Sequence, residues 1–253
     1  APDGPTTATE APGSMSKLTS SRMVRLPSGL LTSLVNRCAR STLFTGESCM
    51  RIIFTLCCLF LVPAAQATDA PTVLIFGDSL SAGYGIDADQ SWGALLQQRL
   101  EEQGYEHRVV NASISGETTE GGVTQIGSAI DTFSPELIIL ELGGNDGLRG
   151  FPPARIKANL RAIAERAMAS GAGVVLLGIR IPTNYGTRYT QAFEAVYADV
   201  ANELGIAWIE FFMEGIALND ELLQEDRIHP NEAAQPILLD NAWPVIHATL
   251  QQR

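Results

Sequence analysis

Cysteine is confined to the start of this 253-residue chain: Cys38, Cys49, Cys57 and Cys58 are the only four. Everything beyond Cys58 therefore lacks a disulfide, a thiol nucleophile and the paired C-x-x-C spacing of a zinc site. Cys57-Cys58 lies inside an apolar run, where cysteine packs as a small hydrophobe. Basic residues are also scarce, 17 against 28 acidic ones, and from Thr68 onward 11 stand against 25. Such an acidic surface argues against a nucleic-acid partner, which needs Lys and Arg to displace counterions. It argues equally against tight docking on anionic lipid. Histidine occurs three times, as His107, His229 and His247. Nowhere does G-x-S-x-G occur, so the nucleophile elbow of α/β-hydrolases is excluded.

Hydrophobic run length is limited as well. Arg51 precedes an uncharged apolar run over residues 52–62, followed by Pro63 and the small-residue site Ala65-Gln66-Ala67. The run is shorter than the roughly 20 residues of a spanning helix, and the order of features is that of a secretory signal peptide. The expectation is export by the general secretory route to the periplasm or medium, and cleavage after Ala67. The mature protein should then have no stable membrane insertion. Residues 1–49 begin rich in Pro, Gly, Ser and Thr and become basic at Arg22, Arg25, Arg37 and Arg40, without periodicity. Two readings stand: a non-native stretch upstream of a start at Met50, or a disordered or extended targeting segment.

From Thr72 short β-branched runs alternate with longer amphipathic stretches. The runs are Val73-Leu74-Ile75-Phe76, Val109-Val110, Leu137-Ile138-Ile139-Leu140 and Val174-Val175-Leu176-Leu177, with a weaker one over 206–209. Runs this apolar suit strands buried on both faces, as in a parallel sheet. Ser91 can cap a helix carrying Trp92, Leu95, Leu96, Arg99 and Leu100. Pro153 can open one through Ile156, Leu160, Ile163 and Ala167, with Gly171 where a C-terminal cap belongs. Further helices are expected over 189–203 and over 232–250, the latter with Pro236 and Pro244 as candidate bends. The alternation implies one doubly wound, three-layer α/β/α domain over residues 68–253, with a mostly parallel five-stranded sheet. In such folds ligands sit beyond the carboxyl ends of the strands, so reactive residues should directly follow the apolar runs.

They do. The first run ends in Gly77-Asp78-Ser79-Leu80-Ser81, which places Ser79 on the turn into a helix with its hydroxyl toward the crevice and its N–H available to an anion. Alone, such a serine is usually a cap. The second run leads to Gly116, whose backbone can approach a ligand and aim an N–H at it, or which simply precedes a helix cap. The third ends in Gly143-Gly144-Asn145-Asp146-Gly147. There Asn145 is either a turn residue or an amide donor, and Asp146 reads as a structural hydrogen-bonder. Near the end stands Asp226-Arg227-Ile228-His229. An acid three residues before a histidine can hold one imidazole nitrogen protonated while the other faces a serine. His107, read as a surface residue, and His247 lack such an acid. Taken together these residues supply a nucleophile, a base, an orienter and oxyanion donors for acyl transfer.

The same blocks, Gly77-Asp78-Ser79-Leu80, the Gly116 loop, Gly144-Asn145-Asp146 and Asp226-x-x-His229, resemble those of the GDSL/SGNH hydrolase family. The longer stretches 77–84, 141–151 and 228–231 look most like its periplasmic bacterial acyl-CoA thioesterase, lysophospholipase and arylesterase group. The resemblance spans about Thr72 to Trp243. It implies a flavodoxin-like SGNH fold and a Ser79–His229–Asp226 triad. It also implies an oxyanion hole of Ser79, Gly116 and Asn145, no cofactor or metal, and a small-molecule acyl ester or thioester as substrate. By the same resemblance the acyl chain is lined by Gly147, Leu148, Phe151, Ile181, Pro182 and Tyr185, which otherwise read as ordinary exposed loops. A monomer is expected. Two rivals stay open: a carbohydrate-ester deacetylase on this fold and a catalytically inactive binding module.

Overall fold

The computed structural model describes residues 70–253. The expectations about residues 1–49 and the signal-like segment 50–67 lie outside them. Each apolar run forms a strand: β1 (Thr72–Gly77), β2 (Arg108–Asn111), β3 (Leu137–Glu141), β4 (Gly173–Leu177) and β5 (Ala207–Ile209). All four pairings are parallel and the order is β2-β1-β3-β4-β5. This is the flavodoxin-like doubly wound order, whose direction reverses between β1 and β3 and opens a crevice there.

Alternation along each strand divides the core in two. Val73, Ile75, Leu137, Ile139, Val175 and Leu177 face one side; Leu74, Phe76, Ile138, Leu140, Val174 and Leu176 face the other. The first face packs under α2 (Trp92–Glu102), through Trp92, Leu96 and Leu100, and under α7 (Gln235–Leu250), through Leu238, Leu239 and Ile246. The second packs under α3 (Thr119–Phe133), α5 (Pro153–Ala169) and α6 (Thr187–Leu204), through Ile126, Ile156, Leu160, Phe193 and Val196. Two short helices, α1 (Ser79–Ala82) and α4 (Gly144–Leu148), follow β1 and β3 directly. Burial of each such side chain contributes roughly 1.5–3 kcal/mol.

The helix boundaries follow their local signals closely. The Ser91 hydroxyl accepts from the Ala94 N–H at 3.3 Å at the start of α2, and Pro153 occupies the first position of α5. Ser170 is the C-cap of α5, and Gly171 follows it with φ +92°. α6 begins two residues before the expected Tyr189, at Thr187. Residues 232–234 form a 3₁₀ turn and the α-helix starts at Gln235. Pro236 then sits in the first turn of α7, where a missing N–H costs nothing, and Pro244 lies inside the helix.

Helix α3 has no counterpart among the expected elements. Gly121, Gly122 and Gly127 lower its intrinsic propensity. Tertiary packing overrides this: a Cβ at Gly122 would come within 2.6 Å of Leu142 Cδ1 and 3.0 Å of Ile163 Cδ1, so the absent side chain lets the helix lie close to its neighbours. Leu74 is fully buried at the centre of the sheet. Leu74→Ala is expected to lower the unfolding free energy by about 2–5 kcal/mol, measured as a shift in the urea midpoint at constant slope.

Candidate active site

The site grows from the carboxyl end of β1. Gly77 pairs with Glu141 of β3, and a Cβ at Gly77 would lie 2.7 Å from both the Glu141 carbonyl and Oε2; only glycine allows this approach. Asp78 follows as N-cap of α1, its Oδ1 accepting from the Leu80 N–H at 3.1 Å. Its own N–H donates to the Glu141 carbonyl at 3.1 Å and to Oε2 at 3.3 Å. Ser79 is thereby held as the first residue of α1.

His229 comes from the long segment between β5 and α7. Its Nε2 lies 2.9 Å from Ser79 Oγ, and its Nδ1 lies 2.6 Å from Asp226 Oδ2. The Asp226 turn is tight: Oδ1 accepts the backbone N–H groups of Ile228 at 2.9 Å and His229 at 3.0 Å. An aspartate that hydrogen-bonds the backbone just ahead of it favours such a turn. Arg227, at φ +56°, takes up the left-handed conformation it requires, which costs about 1–2 kcal/mol. Burial by itself would raise the Asp226 carboxyl. The hydrogen bonds from the His229 ring, the His229 N–H and the Ile228 N–H, with the imidazole charge, outweigh it and hold the carboxyl down to about 2. The carboxylate therefore stays ionised beside the imidazole.

The loops after β2 and β3 complete the crevice. Gly116, at φ +81°, sits in a loop anchored by the Ile114 N–H to the Gly77 carbonyl at 3.0 Å. The Arg149 guanidinium donates to the Gly116 carbonyl at 3.2 Å. Asn145 lies in α4, and its Nδ2 donates to Asp78 Oδ2 at 3.1 Å, which leaves the second amide hydrogen for a ligand. Asp146 is buried and binds the start of α3: Oδ2 accepts the Thr119 N–H at 2.9 Å and Oδ1 the Thr119 hydroxyl at 2.6 Å. The Asn159 amide donates to that hydroxyl at 3.0 Å. The loops bearing Gly116 and Asn145 are thus tied to each other as well as to β1.

Of the residues expected to line an acyl groove, Gly147 is buried, and a Cβ there would meet Phe193 at 2.7 Å and Ile181 Cγ2 at 2.8 Å. Ile181 is itself a core residue beneath it, while Pro182 and Tyr185 are exposed. The Tyr185 hydroxyl donates to the Leu148 carbonyl at 2.8 Å, and the Tyr189 hydroxyl to the Phe151 carbonyl at 2.7 Å. These bonds join the two loops into one wall. A cleft of about 470 Å³ lined by Pro153, Tyr185, Gly186, Tyr189 and Ala192 adjoins that wall and contains none of Ser79, Asp226 and His229. His107 differs from its reading as a surface residue. Its side chain is largely covered by Tyr105, at 5.7 Å between ring centroids, and Glu136, with Nε2 3.5 Å from a carboxylate oxygen. His247 stacks on Trp243 and meets Tyr105 edge-on.

Sequence reading passed over Glu141 and the second role of Asp78. Glu141 is fully buried beneath α1, and its Oε2 accepts the Ser81 hydroxyl at 2.8 Å. Burial, then the neighbouring Asp78 charge, push its carboxyl well above the usual range against the Ser81 hydrogen bond. An acid ending a strand buried on both faces was the available signal. Burial likewise raises Asp78, from 3.8 to about 6, against the opposing pull of the Leu80 N–H, Asn145 and His229.

A model of the GDSL-like lipase/acylhydrolase family matches residues 75–236. The chain is 48% identical over 201 residues to esterase TesA of Pseudomonas aeruginosa, covering 79% of this chain and all of that one. It is 44% identical over 183 residues to thioesterase 1/protease 1/lysophospholipase L1 of Escherichia coli K12, covering 72% and 86% of the two chains. Among solved structures it is similar to the psychrotrophic esterase EstA from a Pseudoalteromonas species, inhibited by monoethylphosphonate. That match has 37% identity and a TM-score of 0.68, covering 71% of this chain and 98% of that one.

The raised Asp78 carboxyl has a consequence for stability. A folded-state value above the unfolded one favours the folded protein fully below about pH 4, and that contribution is lost as pH rises through about 6. Asp78→Asn removes this loss. Urea unfolding of both proteins should show the variant gaining stability relative to wild type as pH rises from about 4 to about 7.5. A pH-independent difference would mean that Asp78 ionises freely in the folded protein.

Proposed function

The chain belongs to the GDSL-like lipase/acylhydrolase family and is a carboxylic ester hydrolase, and we propose that it works through Ser79, His229 and Asp226 as a nucleophilic triad. The observation that carries this reading is the continuous relay from Ser79 Oγ to His229 Nε2 at 2.9 Å and from His229 Nδ1 to Asp226 Oδ2 at 2.6 Å. His229 takes the Ser79 proton as Oγ attacks the acyl carbonyl, and Asp226 holds the tautomer and stabilises the imidazolium. The N–H groups of Ser79 and Gly116 and the Asn145 amide receive the developing oxyanion. His229 then returns the proton to the leaving oxygen or sulfur. Water activated by the same imidazole releases the acyl group from Ser79.

The substrates are acyl esters and, by the similarity to thioesterase 1/lysophospholipase L1, thioesters and lysophospholipids. The acyl chain lies along the wall of Gly147, Leu148, Phe151, Ile181, Pro182 and Tyr185. All triad and oxyanion residues come from one chain, which suits a monomer. Residues 50–67 direct export, to the periplasm or beyond, and are removed after Ala67; the support is the order of charge, apolar run and A-x-A site.

Ser79→Ala is expected to abolish both ester hydrolysis and covalent labelling by an organophosphonate, read by intact-protein mass spectrometry. Labelling that persists in the variant would remove Ser79 from its role. Asn145→Ala should lower kcat by roughly 10²–10³ in steady-state hydrolysis of p-nitrophenyl butyrate.

A further inference from the structure

Tyr84 is 52% exposed, yet its backbone is held from both sides. It stands between Gly83 and Gly85, with φ of +72° and +78°, so the chain turns sharply before and after it in a region open chiefly to glycine. The Gln224 amide donates to the Tyr84 carbonyl at 2.7 Å and to the Pro230 carbonyl at 3.0 Å. The Gln224 N–H donates to the His229 carbonyl at 2.8 Å. One residue therefore pins the Tyr84 turn to the His229 turn. As a result the Tyr84 ring lies tilted over the imidazole, 4.5 Å between centroids at 39°. The triad chemistry does not itself require an aromatic ring at this place.

The direction of the reaction says what the ring meets. The imidazole faces Ser79 Oγ and hands its proton to the leaving oxygen, so the leaving group departs on the His229 side. The oxyanion donors come from the loops after β1, β2 and β3, and the acyl wall from α4 and the segment after β4. The remaining side of the imidazole is walled by Tyr84, half of whose surface is uncovered. We propose that Tyr84 forms the leaving-group subsite and selects esters of flat aromatic alcohols over esters of alkyl alcohols. This inference rests on the assignment of Ser79 and His229 made above. An aromatic leaving group stacks on the open part of the ring while its oxygen takes the proton from His229 Nε2.

The test compares phenyl acetate with hexafluoroisopropyl acetate, whose leaving groups are of similar acidity although only one is aromatic. The quantity read is the ratio of their kcat/KM values in wild type, Tyr84→Phe, Tyr84→Leu and Tyr84→Ala. Removing the ring, in the Leu and Ala variants, should lower the phenyl-to-alkyl ratio roughly three- to tenfold, and Tyr84→Phe should keep it. An unchanged ratio in the Leu or Ala variant overturns the proposal. That includes the case in which both substrates slow equally, since the ring would then act only by steadying His229. Phosphonate labelling of wild-type Ser79 separates the two levels: its absence faults the triad, whereas labelling with an unchanged ratio faults the Tyr84 subsite alone.

Discussion

The pairing of Gly77 with Glu141 at the carboxyl end of the β1–β3 ladder is the contact on which the site depends. It brings the ends of two strands together where the sheet order reverses, and the crevice opens between the segments that follow them. With no side chain at Gly77, the Asp78 N–H can reach both the carbonyl and the carboxyl of Glu141. That anchorage starts α1 at Ser79, and from the same point Asp78 reaches across to Asn145. Ser79 and the Asn145 amide are therefore set by one short set of hydrogen bonds, and their spacing is inherited from the strand spacing of the sheet.

Electrostatics divides the acids of the site into two kinds. Asp226 is partly exposed and accepts hydrogen bonds from the imidazole and two backbone N–H groups, so it stays charged. Asp78 and Glu141 are buried, which disfavours ionisation of both; the Asp78 charge raises Glu141 further, and the Asp146 charge adds to the rise of Asp78. The Asp226 charge thus stands on the far side of His229 from Ser79, while on the β1–β3 side Glu141 is held toward the neutral form and Asp78 ionises only as pH rises through about 6. Environment, and not residue type, makes this separation.

Much of the fold was legible because its signals are local. Strands buried on both faces need continuous apolar runs, and the runs of β1, β3 and β4 are such strands, whereas the shorter runs of β2 and β5 form edge strands that are only partly buried. Ser91 and Pro153 announce helix starts through hydrogen bonds and dihedrals made within a few residues. The tight Asp226–His229 turn was legible for the same reason, since three residues separate acid from base. α3 was not, because Gly122 at its start is explained only by Leu142 and Ile163 packed against it. Glu141 and Tyr84 were passed over because each matters through a partner distant in the chain: Glu141 lies 63 residues from Asp78, and the Tyr84 carbonyl is held by a side chain 140 residues away.

The sequence by itself determined which residues end the strands and so which chemistry lies at the mouth of the sheet: a serine, a glycine, an asparagine and a histidine with its acid. Only the tertiary structure decided that they meet. The two shorter runs suit the half-buried edges, β2 and β5, but the three strongly apolar runs do not state which neighbours which. The order β2-β1-β3-β4-β5 emerges from packing both faces of the sheet at once under specific helices. That order sets the β1 and β3 ends side by side, and the fold brings His229 within 2.9 Å of a serine 150 residues away.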